Sequence, residues 1–233
     1  CITVLGNSTT DRFGCLDDDG DGYSNNDATW LVSNGADACN SVKAFSNIDR
    51  NGCPDEDGDG ASAPDPAGIN GSAWTLTDGA DAFLGDATQW SDQDGDGYGD
   101  NPPPATEGDS CNTTLGTSYQ DRFGCIDSDG DGYSDGDAGW TSSQGADAFP
   151  SEPSQWADQD GDGYGDNASG VNADSCPTTF GTSTEVGNLG CSDLDGDGYA
   201  DADDAFPMDS TQGSDADGDG YGDGDRDGDG DGD

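Results

Sequence analysis

Seven times along this chain aspartate alternates with one other residue and then with glycine, in the pattern D-x-D-G-D-G. The runs begin at Asp17, Asp55, Asp92, Asp127, Asp158, Asp193 and Asp215. Carboxylates two residues apart on a turning backbone converge on one point, and such a point suits a hard cation. Calcium takes 6 to 8 oxygens at about 2.3–2.6 Å. In an EF-hand-type loop, positions 1, 3 and 5 supply carboxylates and the glycine at 6 permits the sharp turn. Position 7 offers a backbone carbonyl, and 9 and 12 complete the shell. The run from Asp193 fills every place, with Asp193, Asp195, Asp197, Gly198, the carbonyl of Tyr199, Asp201 and Asp204. Short side chains suit so tight a spacing, which accounts for 48 Asp against 4 Glu among the 52 acids.

The same template assigns ligands elsewhere. One loop offers Asp17, Asp19, Asp21, the carbonyl of Tyr23 and Asn25; another offers Asp92, Asp94, Asp96, Tyr98 and Asp100. Two more offer Asp127, Asp129, Asp131, Tyr133 and Asp135, and Asp158, Asp160, Asp162, Tyr164 and Asp166. The weakest has Asp55, Asp57 and Asp59, with Ala61 in place of tyrosine and Ala63 at position 9, so that Asp65 is the substitute ligand. The last has Asp215, Asp217, Asp219, Tyr221 and Asp223, then a Gly-Asp tail in which Asp231 has the spacing of a closing ligand. Asp204 is followed two residues on by Phe206, and the same Asp-x-Phe or Asp-x-Cys ending occurs at Asp37, Asp81, Asp109, Asp147 and Asp174. These read as displaced position-12 ligands, 20, 26, 17, 20, 16 and 11 residues after their loop starts. Insertions at a loop tip cost little entropy, so the ligand geometry survives them. Solvated linker is the bland reading of Asp-Gly runs, but seven in register with cysteines, tyrosines and closing aspartates argue against it everywhere except the tail.

The elements that position these loops follow from the cysteines. Cys1 and Cys15, Cys39 and Cys53, and Cys111 and Cys125 are each 14 apart, and Cys176 and Cys191 are 15 apart. Eight cysteines allow 105 pairings, but only local pairing keeps this spacing, so four sequential disulfides are expected, each worth about 3 kcal/mol. A zinc site would need C-x-x-C pairs or histidine, and the chain has neither. Loops following a cysteine alternate with loops following Trp90, Trp156 or, in degenerate form, Gly213. This divides the chain into units 1–38 (one loop), 39–110, 111–175 and 176–233 (two loops each). No window has helical periodicity, and Gly, Asp, Asn, Ser and Pro interrupt every potential strand. The expected fold is therefore irregular: an elongated, calcium-organised, disulfide-pinned tandem repeat array. Small clusters replace a single core, with Phe13, Tyr23 and Trp30 as one candidate and Phe123, Tyr133 and Trp140 as another.

Composition narrows the function. A formal charge of −47 repels nucleic acid and anionic membranes. No stretch approaches the roughly 20 apolar residues of a membrane helix. With no histidine, paired cysteines and no nucleophile elbow, the chain reads as a non-enzyme. Eight cysteines in this arrangement indicate an oxidised, exported protein. Sequons at Asn7, Asn70, Asn112 and Asn167 mark candidate glycosylation sites, and so a glycoprotein.

The calcium loops in two alternating flavours, the D-x-C and D-x-C-P junctions (Asp174, Cys176, Pro177) and the sequential cysteines resemble thrombospondin type 3 repeats over nearly the whole chain. That resemblance implies an extracellular array wrapped around many calcium ions, serving as a stalk or adhesive wire at the cell surface. The long insertions, the Trp junctions and Phe in place of half the cysteines depart from the family's pattern. Dockerin modules share the loop but add an amphipathic helix that is missing here. The expected function is a calcium-stiffened structural rod, forming a surface stalk or a filament whose subunits join head to tail, or continuing into a longer array. The alternative is a cell-adhesion module recognising protein or glycan through Trp30, Trp74 and Trp140, and a third reading is a calcium buffer. Seven ions bring the formal charge from −47 to −33 and fourteen bring it to −19, so one or two ions per loop are expected.

Overall fold

The computed structural model describes Cys1 and residues 5–69, 72–216, 218 and 220–223. Among these the only helical elements are three 3-10 turns, Val32–Asn34, Leu76–Asp78 and Ser142–Gln144, and extended structure is limited to isolated bridges. The irregular fold expected from the sequence is what forms. With glycine or aspartate at nearly every second position of each loop, no run of backbone can form a continuous hydrogen-bonded ladder. All eight cysteines are disulfide-bonded, with Cys1–Cys15, Cys39–Cys53 and Cys176–Cys191 pairing locally. Such oxidation matches an oxidising compartment. No helix among the described residues is long and apolar enough to cross a membrane.

Two compact units divide the chain, Cys1–Gly116 and Thr117–Asp233. The first contains the loops from Asp17, Asp55 and Asp92; the second contains those from Asp127, Asp158, Asp193 and Asp215. Within each, the interior is built from cysteine, alanine and polar side chains. Cys15, Cys39, Cys53 and Cys125 are buried, as are Ser24, Ser46, Ser62, Ser118, Ser134 and Ser183. The expected cluster around Phe13 does not form, because that ring is 78% exposed. Tyr133 does pack, stacked on Trp156 at 5.2 Å, and the Tyr199 ring lies where a Cβ on Gly213 would stand. Glycine at this degenerate junction leaves room for that ring.

Each disulfide hairpin is centred on a buried serine. Ser8, Ser46, Ser118 and Ser183 donate their hydroxyls to the carbonyls of Arg12, Arg50, Arg122 and Asn188, and accept the N–H of Cys15, Cys53, Cys125 and Cys191. One short side chain thus satisfies both a donor and an acceptor that the turn would otherwise bury unpaired.

Candidate metal centre

The six D-x-D-G-D-G runs from Asp17 to Asp193 fold by one hydrogen-bond scheme. The position-1 carboxylate spans the turn, as at Asp127, which accepts the N–H of Gly130 at 2.8 Å and of Gly132 at 3.0 Å. The position-3 carboxylate accepts the position-5 N–H, and position 5 accepts position 7, as in Asp131 to Asp129 (3.2 Å) and Tyr133 to Asp131 (2.8 Å). Both glycines are left-handed, Gly130 at φ 85° and Gly132 at φ 100°. Position 4 therefore needs glycine as much as position 6 does. The position-9 N–H returns to the carbonyl just ahead of position 1 in all seven loops, for example Asp135 to Ile126 at 2.7 Å.

This scheme leaves oxygens over. Asp19, Asp21, Asp57, Asp59, Asp94, Asp129, Asp131, Asp160 and Asp195 each keep a buried Oδ2 with no hydrogen-bond partner. Carboxylate oxygens of positions 1, 3 and 5 lie within 4.8 Å of one another in the loops from Asp17, Asp55, Asp92, Asp127 and Asp158, so each trio can hold a metal ion. The loop from Asp193 has the same backbone scheme through Gly196, Asp197, Gly198 and Tyr199.

The closing aspartates are brought back to their loops by a shared latch. Asp37, Asp81, Asp109, Asp147, Asp174 and Asp204 each donate their N–H to the carbonyl of position 8, at 2.7–2.9 Å. Each then accepts on Oδ1 the N–H two residues on, from Cys39, Phe83, Cys111, Phe149, Cys176 or Phe206. That turn is the physical meaning of the Asp-x-Cys/Phe ending. At Asp37, Asp81, Asp147 and Asp174 the Oδ2 is buried without a partner. At two sites the next hairpin shows where these groups meet. A Cβ on Gly52 would stand 2.5 Å from Asp37 Oδ1 and 2.6 Å from Asp21 Oδ2, and one on Gly190 would meet Asp174 at 2.4 Å and Asp162 at 2.9 Å.

Electrostatics tell the same story. Burial pushes the Asp37 carboxyl up to about 7, with the charges of Asp21, Asp19 and Asp17 adding to it against the Cys39 N–H. Burial likewise lifts Asp81, Asp109 and Asp147 to about 6, each next to its own loop's carboxylates, and raises Asp174. A cation held among these oxygens would favour the ionised carboxylates and so oppose both the burial and the mutual repulsion.

The remaining expected ligands take part in hydrogen bonds of their own. At position 9, Asn25, Asp135, Asp201 and Asp223 accept the position-2 N–H, and Asp135, Asp201 and Asp223 also take a serine hydroxyl. Asp100 accepts Ser91, while Asp166 keeps one buried unpartnered oxygen. These side chains brace the loop's first turn. Asp65, the expected substitute in the second loop, instead forms an antiparallel bridge with Trp74, equivalent to Asp27 with Trp30. Its side chain accepts Ile69 N–H, so it caps the insertion rather than entering the loop. Asp217, Asp219, Asp231 and the sequon Asn70 lie outside the described residues. Asn7 is exposed, but the amide nitrogens of Asn112 and Asn167, where a glycan would attach, donate to the carbonyls of Asp100 (2.9 Å) and Ser154 (2.8 Å).

Sequence reasoning missed the residues that hold position 8. In three cysteine-flavoured loops it is Ser24, Ser62 or Ser134, bound by Asp11, Asp49 or Asp121. The same aspartates accept the ring N–H of Trp30, Trp74 and Trp140, over which Arg12, Arg50 and Arg122 lie at 5.2, 5.4 and 5.3 Å. These tryptophans are thus engaged internally. In the tryptophan-flavoured loops position 8 is Gly99 or Gly165, and the buried Gln89 or Gln155 bonds both strands of the insertion behind it. Both devices leave a sequence signal: Asp-Arg stands six residues before each serine loop, and Gln three residues before each glycine loop.

Compared with known proteins, the chain matches no family model and no curated protein.

Proposed function

We propose that this chain is a calcium-binding structural protein of the extracellular surface, a tandem array stiffened by ions and acting as a filament subunit or stalk. The observation that carries this reading is the buried, unpartnered Oδ2 of the closing aspartates, foremost Asp37 at 0% exposure, set beside three further carboxylates. Burying a carboxylate among like charges costs several kcal/mol unless a cation is held there. All-oxygen donors on a flexible turn favour calcium over softer metals. The resemblance to thrombospondin type 3 repeats supports the same assignment and the extracellular placement.

The residues that would hold the ion are positions 1, 3 and 5 of each loop with its closing aspartate. A bound calcium supplies the positive charge that lets these carboxylates coexist. Two of the sites also abut the hairpin that follows them, at Gly52 beside Asp37 and Asp21 and at Gly190 beside Asp174 and Asp162, so ion binding there fixes the loop against that hairpin. Equilibrium dialysis of the full chain, with circular dichroism and small-angle scattering before and after chelation, tests this. Several calcium ions per chain and a large change in both signals on chelation are expected. Absence of uptake, or signals indifferent to chelator, would overturn it.

A further inference from the structure

We infer that the Asp-Arg pairs of the disulfide hairpins, Asp11–Arg12, Asp49–Arg50 and Asp121–Arg122, are positioning residues for the cation sites that follow them. The inference rests on the calcium reading above. Each aspartate collects three donors: the N–H and hydroxyl of the position-8 serine and the indole N–H of the insertion's tryptophan. Arg12 and Arg122 donate Nε–H to the same serine hydroxyls at 3.2 Å while lying over the tryptophan ring. These two grips act on the two ends of the segment that carries the closing aspartate. The serine carbonyl accepts that aspartate's N–H, and the tryptophan ring packs on the glycine two residues before it, Gly35 before Asp37 and Gly145 before Asp147.

None of these hydrogen bonds involves the position-1, 3 or 5 carboxylates, although the charges of Asp49 and Asp121 also bear on Asp59 and Asp131. The pair's hold on the backbone reaches the site through the closing aspartate, as outer-shell groups do at other metal sites, where their loss costs about 10- to 100-fold in affinity. The loops with Gly99, Gly165 or Ala200 at position 8 lack the pair and are internal controls.

The experiment is calcium titration by calorimetry of the full chain, wild type against the triple variant Asp11→Asn, Asp49→Asn, Asp121→Asn. An amide at these positions puts a donor where the serine hydroxyl and indole N–H already donate. Affinity is expected to fall about 10- to 100-fold at the three serine loops only. Equal titrations overturn the inference while leaving the calcium reading intact, and loss at every loop alike overturns it in favour of a purely structural role. A wild type that takes up no calcium overturns both. Coupling is reciprocal, so in the wild type calcium should slow indole N–H exchange of Trp30, Trp74 and Trp140 about ten-fold more than that of Trp90 and Trp156. Equal slowing of all five would overturn the inference without any variant.

Discussion

Replacing Asp147 by asparagine separates the cost of the carboxylate from its use. The side chain is 4% exposed, accepts the Phe149 N–H at 2.7 Å through Oδ1, and leaves Oδ2 without a partner. Asparagine keeps the volume and the Oδ1 acceptor while removing the charge. Burial, with the charges of Asp131, Asp129 and Asp135, lifts the carboxyl from 3.8 to about 6. At about 1.4 kcal/mol per unit that is up to about 3 kcal/mol against the ionised fold, and about half of it once solvent screening is allowed for. A group whose pKa is raised on folding contributes stability that is present below its unfolded value and lost as pH rises through its folded value. In chelator at pH 7.5, Asp147→Asn should therefore melt higher than wild type by roughly 5 °C, and the difference should vanish near pH 4. In saturating calcium the order should invert, because the ion loses a ligand and stabilises the variant less. Thermal unfolding followed by intrinsic tryptophan fluorescence in the four conditions reads this out. A variant less stable than wild type in chelator at pH 7.5, or equal to it in calcium, would refute the reasoning.

Three further outcomes are expected. Gly130→Ala should cost about 1–2 kcal/mol in thermal unfolding from its left-handed backbone alone, since nothing lies within 4 Å of the added Cβ; an unchanged midpoint would contradict the turn. Gln155→Ala should cost about 3 kcal/mol by leaving buried groups unpaired, because its amide serves Asn167 and Val171, and calcium affinity at the Asp158 loop should fall with it. Replacing Cys39 and Cys53 together by serine should cost about 3 kcal/mol in the chain-entropy model, read as a lower denaturant midpoint under oxidising conditions.

What could be read from the sequence was whatever depends on local spacing. The carboxylates of positions 1, 3 and 5 and the turn glycines act within six residues, so the repeat alone places them. The Asp-x-Cys/Phe ending was legible for a similar reason, since its aspartate caps an N–H two residues on. The rest was hidden because hydrophobicity is a poor guide to this interior. Phe13 is the kind of residue expected inside and is exposed, while Ser24 is buried by hydrogen bonds to the Asp11 carboxylate and Gln89 and Gln155 by bonds to distant backbone. Asp65 was misread because counting from the loop start ignores the longer insertion; counting back from the closing residue aligns Trp30 with Asp37, Trp74 with Asp81 and Trp140 with Asp147, all seven apart. Position 9 is a ligand on the EF-hand template; what the template does not foretell is that its side chain also accepts a neighbouring serine hydroxyl or the position-2 N–H.

That constant interval, set against a variable one, gives the scaffold a practical property. Asp27 and Trp30 bridge across two residues, while Asp65 and Trp74 make the same bridge across eight, with the downstream 3-10 turn and latch unchanged. The gap between bridging aspartate and tryptophan is thus a grafting port: a foreign peptide placed between Asp137 and Trp140 would be displayed at the surface while the ends that hold the closing aspartate stay in register.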